Sequence, residues 1–165
     1  MVGKGVEIDF SGFERLNAKL TVLAHAGEFK KVRRRTLRKL AQVYIRTAKE
    51  NTPVGEFKEV EQDGQIYRTE SEHMRRSWEA GRIGSKKKVA RIPVFNTASY
   101  ASYVNDGHRQ TPGRYVPILG KRLVKGFVDG LNMAEKAAAA TEKSAYDILD
   151  AEITTHLRKW THDTH

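Results

Sequence analysis

Cysteine is absent from the sequence. That excludes disulfides, thiol catalysis and cysteine-ligated zinc. Long apolar runs are absent too. No stretch approaches the roughly 18–20 apolar residues a membrane span needs, and the opening MVGKGVEIDF has no run of signal-peptide length. These absences predict a protein made in a cytoplasm, with no membrane partner.

The usual catalytic patterns are missing as well. The histidines are His25, His73, His108, His156, His162 and His165. None forms the i, i+4 pair with an intervening glutamate that a zinc hydrolase needs. There is no phosphate-cradling glycine loop of the P-loop kind and no G-x-S-x-G elbow. The segment 107–113 (GHRQTPG) comes nearest to a chemical motif. His108 beside Arg109 could polarise a phosphate, but with Asp106 as the one nearby acid this does not make a site. We expect no enzyme, no metal and no cofactor.

Acid is missing from two particular zones, and the chain has a net charge of +10. Residues 30–49 hold Lys30, Lys31, Arg33, Arg34, Arg35, Arg38, Lys39, Arg46 and Lys49 without one carboxylate. Residues 107–128 hold Arg109, Arg114, Lys121, Arg122 and Lys125, again without an acid. Such a surface attracts polyanions or acidic protein faces. Like charges at i, i+4, such as Lys31 with Arg35 and Arg34 with Arg38, repel along a helix. The face containing Lys30, Lys31, Arg34, Arg35 and Arg38 is therefore either a solvated face or one that meets an anion, DNA included.

Periodicity supplies the elements. Phe13, Leu16, Leu20 and Leu23 predict a short amphipathic helix over 11–26, broken by Gly27. Leu37, Leu40, Ala41, Tyr44 and Ala48 predict a longer one over 28–50, stopped before Pro53. A DNA-reading helix–turn–helix would need short polar side chains toward base edges. Here Arg and Lys saturate the face, which suits phosphate contact without sequence readout.

Residues 54–72 lack a helical period and carry an Asp63-Gly64 turn signal, so we read a loop or hairpin tip. Residues 73–80 and 88–95 read as strands, with Pro93 demoting the second to an edge or a bulge. Residues 98–106 read as one or two helical turns capped by Gly107. Residues 107–130, punctuated by glycine, read as an arm or hairpin. Residues 131–160 read as the strongest helix, with an alanine run at 137–140 and a stripe of Ala145, Leu149, Ile153, Leu157 and Trp160.

The expected fold is one α+β domain over 1–165. N-terminal helices and a long C-terminal helix pack on a small antiparallel sheet with projecting loops or hairpins. Residues 54–72 are a loop insertion, 107–130 a Gly-rich arm and 161–165 a frayed tail. Arg75, Arg76, Trp78, Tyr100, Tyr103, His108, Arg109, Arg114 and Tyr115 are candidate interface residues, being mostly of types that interfaces favour. Core packing is the alternative for Trp78, Tyr100 and Tyr103, and plain solvent exposure for Arg75 and Arg76.

Several segments in a fixed order resemble a known family. They are the D-F-S-G-F-E opening at 9–14, a basic helix ending in Thr52-Pro53-Val54-Gly55, and Met74-Arg75-Arg76-Ser77-Trp78. Tyr100-Ala101-Ser102-Tyr103-Val104, Gly107-His108-Arg109, Gly113-Arg114-Tyr115-Val116 and Gly130-Leu131-Asn132-Met133 follow. The set is similar to the neck or tail-completion proteins of long-tailed phages and prophages, also called minor tail components or head–tail joining proteins. Residues 56–72 lengthen the usual passage from the first motif to the second.

The resemblance implies a structural role in the virion, assembled in the bacterial host cytoplasm. It implies a homo-oligomeric ring, six-fold to match a tail tube or twelve-fold to match a portal. It also implies head-completion (stopper), tail-terminator or tail-tube proteins as partners, with DNA passing through the channel. The alternative reading is a non-specific nucleic-acid-binding protein that uses the basic helix 28–50.

Overall fold

The computed structural model describes residues 6–7, 26–56, 58–62, 64–69, 72–86 and 89–162. In chain order the elements are β1 (Val6–Glu7), α1 (Ala26–Asn51), β2 (Lys58–Gln62), β3 (Gln65–Thr69), α2 (His73–Arg76), β4 (Trp78–Ala80), β5 (Gly84–Lys86), β6 (Val89–Arg91) and β7 (Pro93–Asn96). They continue with α3 (Ala101–Asp106), β8 (Gly107–Arg109), β9 (Tyr115–Val116), a 3-10 turn (Pro117–Leu119), β10 (Lys121–Arg122), β11 (Phe127–Asp129) and α4 (Met133–His162). This is an α+β chain, as expected. Residues 11–25 of the helix read over 11–26 lie outside the described residues, as does the tail from 163 on. Ala26 and Gly27 belong to α1, so the expected break at Gly27 is corrected.

Two long helices form the backbone of the fold. On α1, Val32, Leu37, Leu40, Ala41, Tyr44 and Ala48 recur at helical spacing and are all buried. On α4 the buried stripe is Met133, Ala134, Ala137, Thr141 and Ala145. Small residues there let the two axes approach closely, since interhelical distance follows side-chain size. The helices run antiparallel: Lys39 pairs with the buried Glu152 at 2.5 Å, while Tyr44 lies near Glu135 at the other end of α4. The stripe expected further along α4 is only half-buried at Leu149 and Ile153.

A small antiparallel sheet, in the order β1-β7-β4, packs on α1. Trp78 and Val94 from the sheet, with Met74, Ala90, Ile92 and Ala98 from the segments beside it, join the helical stripe in one apolar core. β7 is the central strand, so of the two expectations for Pro93, an edge strand or a bulge, the edge strand is corrected. The strand expected over 88–95 divides at Ile92 into β6, paired with β5, and β7. Pro93 is the first residue of β7, where a missing N–H is tolerated. Its carbonyl still accepts from the Gly81 N–H at 2.8 Å. The strand expected over 73–80 also divides: His73–Arg76 is one helical turn, and only Trp78–Ala80 is strand.

Tyr44 sits at the centre of the core with 0% exposure, and its hydroxyl has no hydrogen-bond partner among the described residues. Burial, helped by the negative charge of Glu135, pushes its phenol above its ordinary value of 10.0. A raised folded-state value means stability is fully present below about pH 10 and is lost as alkaline pH ionises the unfolded chain. An unpaired buried hydroxyl opposes folding, so Tyr44→Phe is expected to leave stability unchanged or raise it by up to about 1 kcal/mol at neutral pH. It should also soften the alkaline loss. Urea unfolding at pH 7 and pH 11 checks both, and a loss above about 1 kcal/mol at pH 7 would show a hidden partner for the hydroxyl.

Candidate assembly surfaces

The basic face of α1 follows from the helix itself. Because the apolar stripe turns inward, Lys30, Lys31, Arg34, Arg35 and Arg38 are all exposed, and Gln42 and Arg46 continue the row. Lys39, at the border, turns to Glu152. The five candidate anion-facing residues thus share one surface.

Other candidate residues are taken up by the fold. α1 is followed by Thr52, whose hydroxyl donates to the Ala48 carbonyl at 2.6 Å. The same oxygen accepts from the Trp78 indole Nε1 at 2.8 Å. The Arg75 guanidinium donates from Nε and Nη2 to the Thr52 carbonyl, at 3.2 and 2.9 Å. Trp78, 7% exposed, meets Tyr44 edge to face with ring centroids 6.1 Å apart. Two motifs far apart in sequence, Thr52-Pro53 and Arg75-Arg76-Ser77-Trp78, therefore form one clamp that closes the end of α1. Arg76 points outward and pairs with Glu72 at 2.7 Å.

α3 positions the next group. Tyr100 and Tyr103 are exposed: the first lies 3.2 Å from His73 Nδ1, and the second stacks edge-on against His108 at 6.0 Å. His108 Nδ1 lies 3.3 Å from the Tyr103 carbonyl, a contact that puts a proton on Nδ1. Asp106 accepts from Asn105 at 2.7 Å. Asn105 is buried and does most of the joining here. Its side-chain oxygen accepts from the Ala134 N–H at 2.9 Å, and its amide donates to Glu135 at 3.1 Å. It thereby caps the orphan N–H groups that begin α4.

Beyond α3 the chain leaves the core. β8 and β11 pair with Gly107 opposite Asp129, His108 opposite Val128 and Arg109 opposite Phe127. Gln110 N–H continues the ladder to the Gly126 carbonyl at 3.0 Å. Then the register slips by one. Gly113 N–H donates to Leu123 O at 2.8 Å, while Leu123 N–H donates to Arg114 O, also at 2.8 Å. Two residues thus oppose one, with Gly113 left-handed at φ 83°, the arrangement of a glycine β-bulge. Past the bulge, Tyr115 opposes Arg122 and Val116 opposes Lys121, and the 3-10 turn closes the tip. The Gly-rich arm is one long, bulged ribbon.

The arm brings Arg109, Arg114 and Tyr115 to its surface, all exposed. Sequence reasoning missed its apolar content: Leu119, Val124, Phe127 and Leu131 are exposed there as well, Val124 to 87%. They fall among glycines and bases with no period, so nothing local sets them apart from core residues. The insertion 54–72 holds a hairpin, β2–β3, which turns at Gly64 and packs on the arm's 3-10 turn.

Compared with known families, residues 14–107 match the family model for HK97-gp10-like proteins, described as "Bacteriophage HK97-gp10, putative tail-component". No curated protein and no solved structure matches the chain. The matched segment covers more than half the chain and reaches the root of the arm.

Proposed function

Because the chain belongs to the HK97-gp10-like family of phage tail components, we propose that it is a structural subunit of the neck, a closed ring joining the head-completion proteins to the tail tube. The observation that carries this reading is the arm. Its exposed apolar residues lie outside the core on a ribbon whose tip packs on the β2–β3 hairpin. Several large apolar side chains left exposed on one projecting ribbon are what a binding site presents. An arm that reaches a different surface on an identical neighbour makes a heterologous contact, which closes into a ring when its rotation divides the circle. Six copies would match a tail tube and twelve a portal; a reconstruction of the particle neck counts them, and a dimer or a single copy would refute the ring.

In the ring, the exposed α1 face meets an anion, either DNA in the channel or an acidic neighbouring ring. Replacing Arg34, Arg35 and Arg38 with Gln removes three charges from positions off the apolar stripe. Thermal unfolding is expected to shift little, because surface changes of this kind stay within about 0.5 kcal/mol each. Infectious particle yield should fall. A wild-type yield would leave the face merely solvated. The same face supports the second reading, non-specific nucleic-acid binding. That reading requires tight binding of short duplexes with a steep salt dependence by the free subunit, and the triple variant would flatten the slope by about 3 × 0.9.

A further inference from the structure

The geometry points to the partner surface of the arm: the outer face of α4 on the next copy in the ring. This inference rests on the ring reading and adds the contact that builds it.

The arm's own character comes first. Of the ten large apolar or tyrosine side chains exposed among the described residues, Tyr115, Leu119, Val124, Phe127 and Leu131 lie on or just after the arm. Around them stand Arg109, Arg114, Lys121, Arg122 and Lys125, against the single acid Asp129. The surface that fits the arm must therefore offer apolar area inside a negative frame.

One helix face has that character. On α4, Glu142, Tyr146 and Asp150 recur at i, i+4 and i+8, with Asp147 beside them, and all four are exposed. Tyr146 is 73% exposed at the centre of this row. Lys143 is the one base among them. Aromatic rings within a charged rim are what a well-packed interface places at its middle, and an Arg guanidinium over a tyrosine face adds a cation–π contact.

The arm cannot take this surface on its own chain. Its root joins the start of α4 at Gly130, and its tip packs on the β2–β3 hairpin. Asp147 and Asp150 lie 14 to 17 residues further along the helix, about 20–25 Å from Met133 at 1.5 Å per residue. The α1 face, although more basic, is the poorer occupant. Its exposed row of Lys30, Lys31, Arg34, Arg35 and Arg38 has no apolar anchor, so it suits a polyanion better than a desolvated protein contact.

Charge exchange tests the contact on the full-length chain. One variant carries Arg114→Glu and Lys121→Glu on the arm, the other Asp147→Lys and Asp150→Lys on α4. None of these four side chains holds the core. Each variant alone is expected to weaken self-association at least about a hundredfold, because like charges then face each other. Circular dichroism and unfolding midpoints should match wild type. Mixing the two should restore assembly as an alternating ring, since reversed arms meet reversed helices and native arms meet native helices. Native mass spectrometry reads the result. Rings that survive either reversal, or a mixture that stays dissociated, would overturn the contact while leaving the ring. A wild-type chain that never self-associates, alone or in the particle, would overturn both.

Discussion

Gly130→Ala is expected to destabilise the protein by about 3–5 kcal/mol, a size reached only when a substitution meets something that cannot move. A Cβ at Gly130 would overlap the Asn105 carbonyl oxygen and stand 2.6 and 2.7 Å from the Asp106 carbonyl carbon and the Gly107 nitrogen. Every one of these atoms is backbone. Gly107 is the mirror of this site: its φ is +81°, and a Cβ there would lie 2.5 Å from Val128 O and 2.8 Å from Gly130 N. Spreading the strands would break the bonds from Leu131 N–H to Val104 O and from Asn132 N–H to Asn105 O, both 3.0 Å. Those bonds and the Asn105 cap set the start of α4, so the damage reaches the helix pair. For a chain of this size the loss corresponds to a fall in Tm of roughly 6–20 °C. Gly84→Ala is the control. Among the described residues nothing lies within 4 Å of a Cβ there, and the change should be neutral or gain up to about 1 kcal/mol. Gly130→Ala within about 1 kcal/mol of wild type would mean the strands part more easily than their geometry allows.

The second large effect is on assembly alone. Replacing residues 110–126 with Asn-Gly keeps the Arg109–Phe127 pair and closes it with a turn suited to a two-residue hairpin. No residue of the apolar core lies in the removed segment. The shortened chain should unfold within about 1 kcal/mol of wild type. It should nevertheless fail to form rings, and filled heads and tails should accumulate unjoined. Electron microscopy of infected-cell lysates and sedimentation of the purified subunit read the two halves of this expectation. Normal particles built with the shortened subunit would remove the arm from the assembly and with it the main support for the ring. A chain that fails to fold would instead place the arm in the core, against its exposure.

Much of this was legible from the residues. α1 was read to within two residues at each end, because a long run with one apolar stripe and a following proline admits few alternatives. Asp63-Gly64 marked its hairpin, Gly107 the end of α3, and the alanine run the last helix. What stayed hidden depends on partners distant in sequence. α2 is a single turn, too short to show a period, and it begins on Glu72 in a left-handed conformation. β7 became central because Val6–Glu7, far away in the chain, adds to its free side. Among the candidate surface residues, five on α1 follow from a helical wheel. Arg75 and Trp78 instead turn to Thr52, more than 20 residues back, and no local pattern announces that. The arm's glycines signalled a departure from the core, but its register depends on Gly113 and Arg114 facing Leu123, a pairing that neither neighbourhood specifies.

The pinch between Gly107 and Gly130 bears on how this chain can vary over time. Because the two ends of the arm meet backbone to backbone, everything between them is a closed excursion from the standpoint of the core. Lengthening such an excursion adds only the slowly growing entropy of loop closure, about 0.6 kcal/mol for each doubling. The root can therefore stay fixed while the ribbon is lengthened, shortened or exchanged for another sequence. A subunit built this way is a socket with an interchangeable tool. On the ring reading, arms of other sequence grafted between Gly107 and Gly130 would change which neighbour is gripped without disturbing the helices that hold the socket.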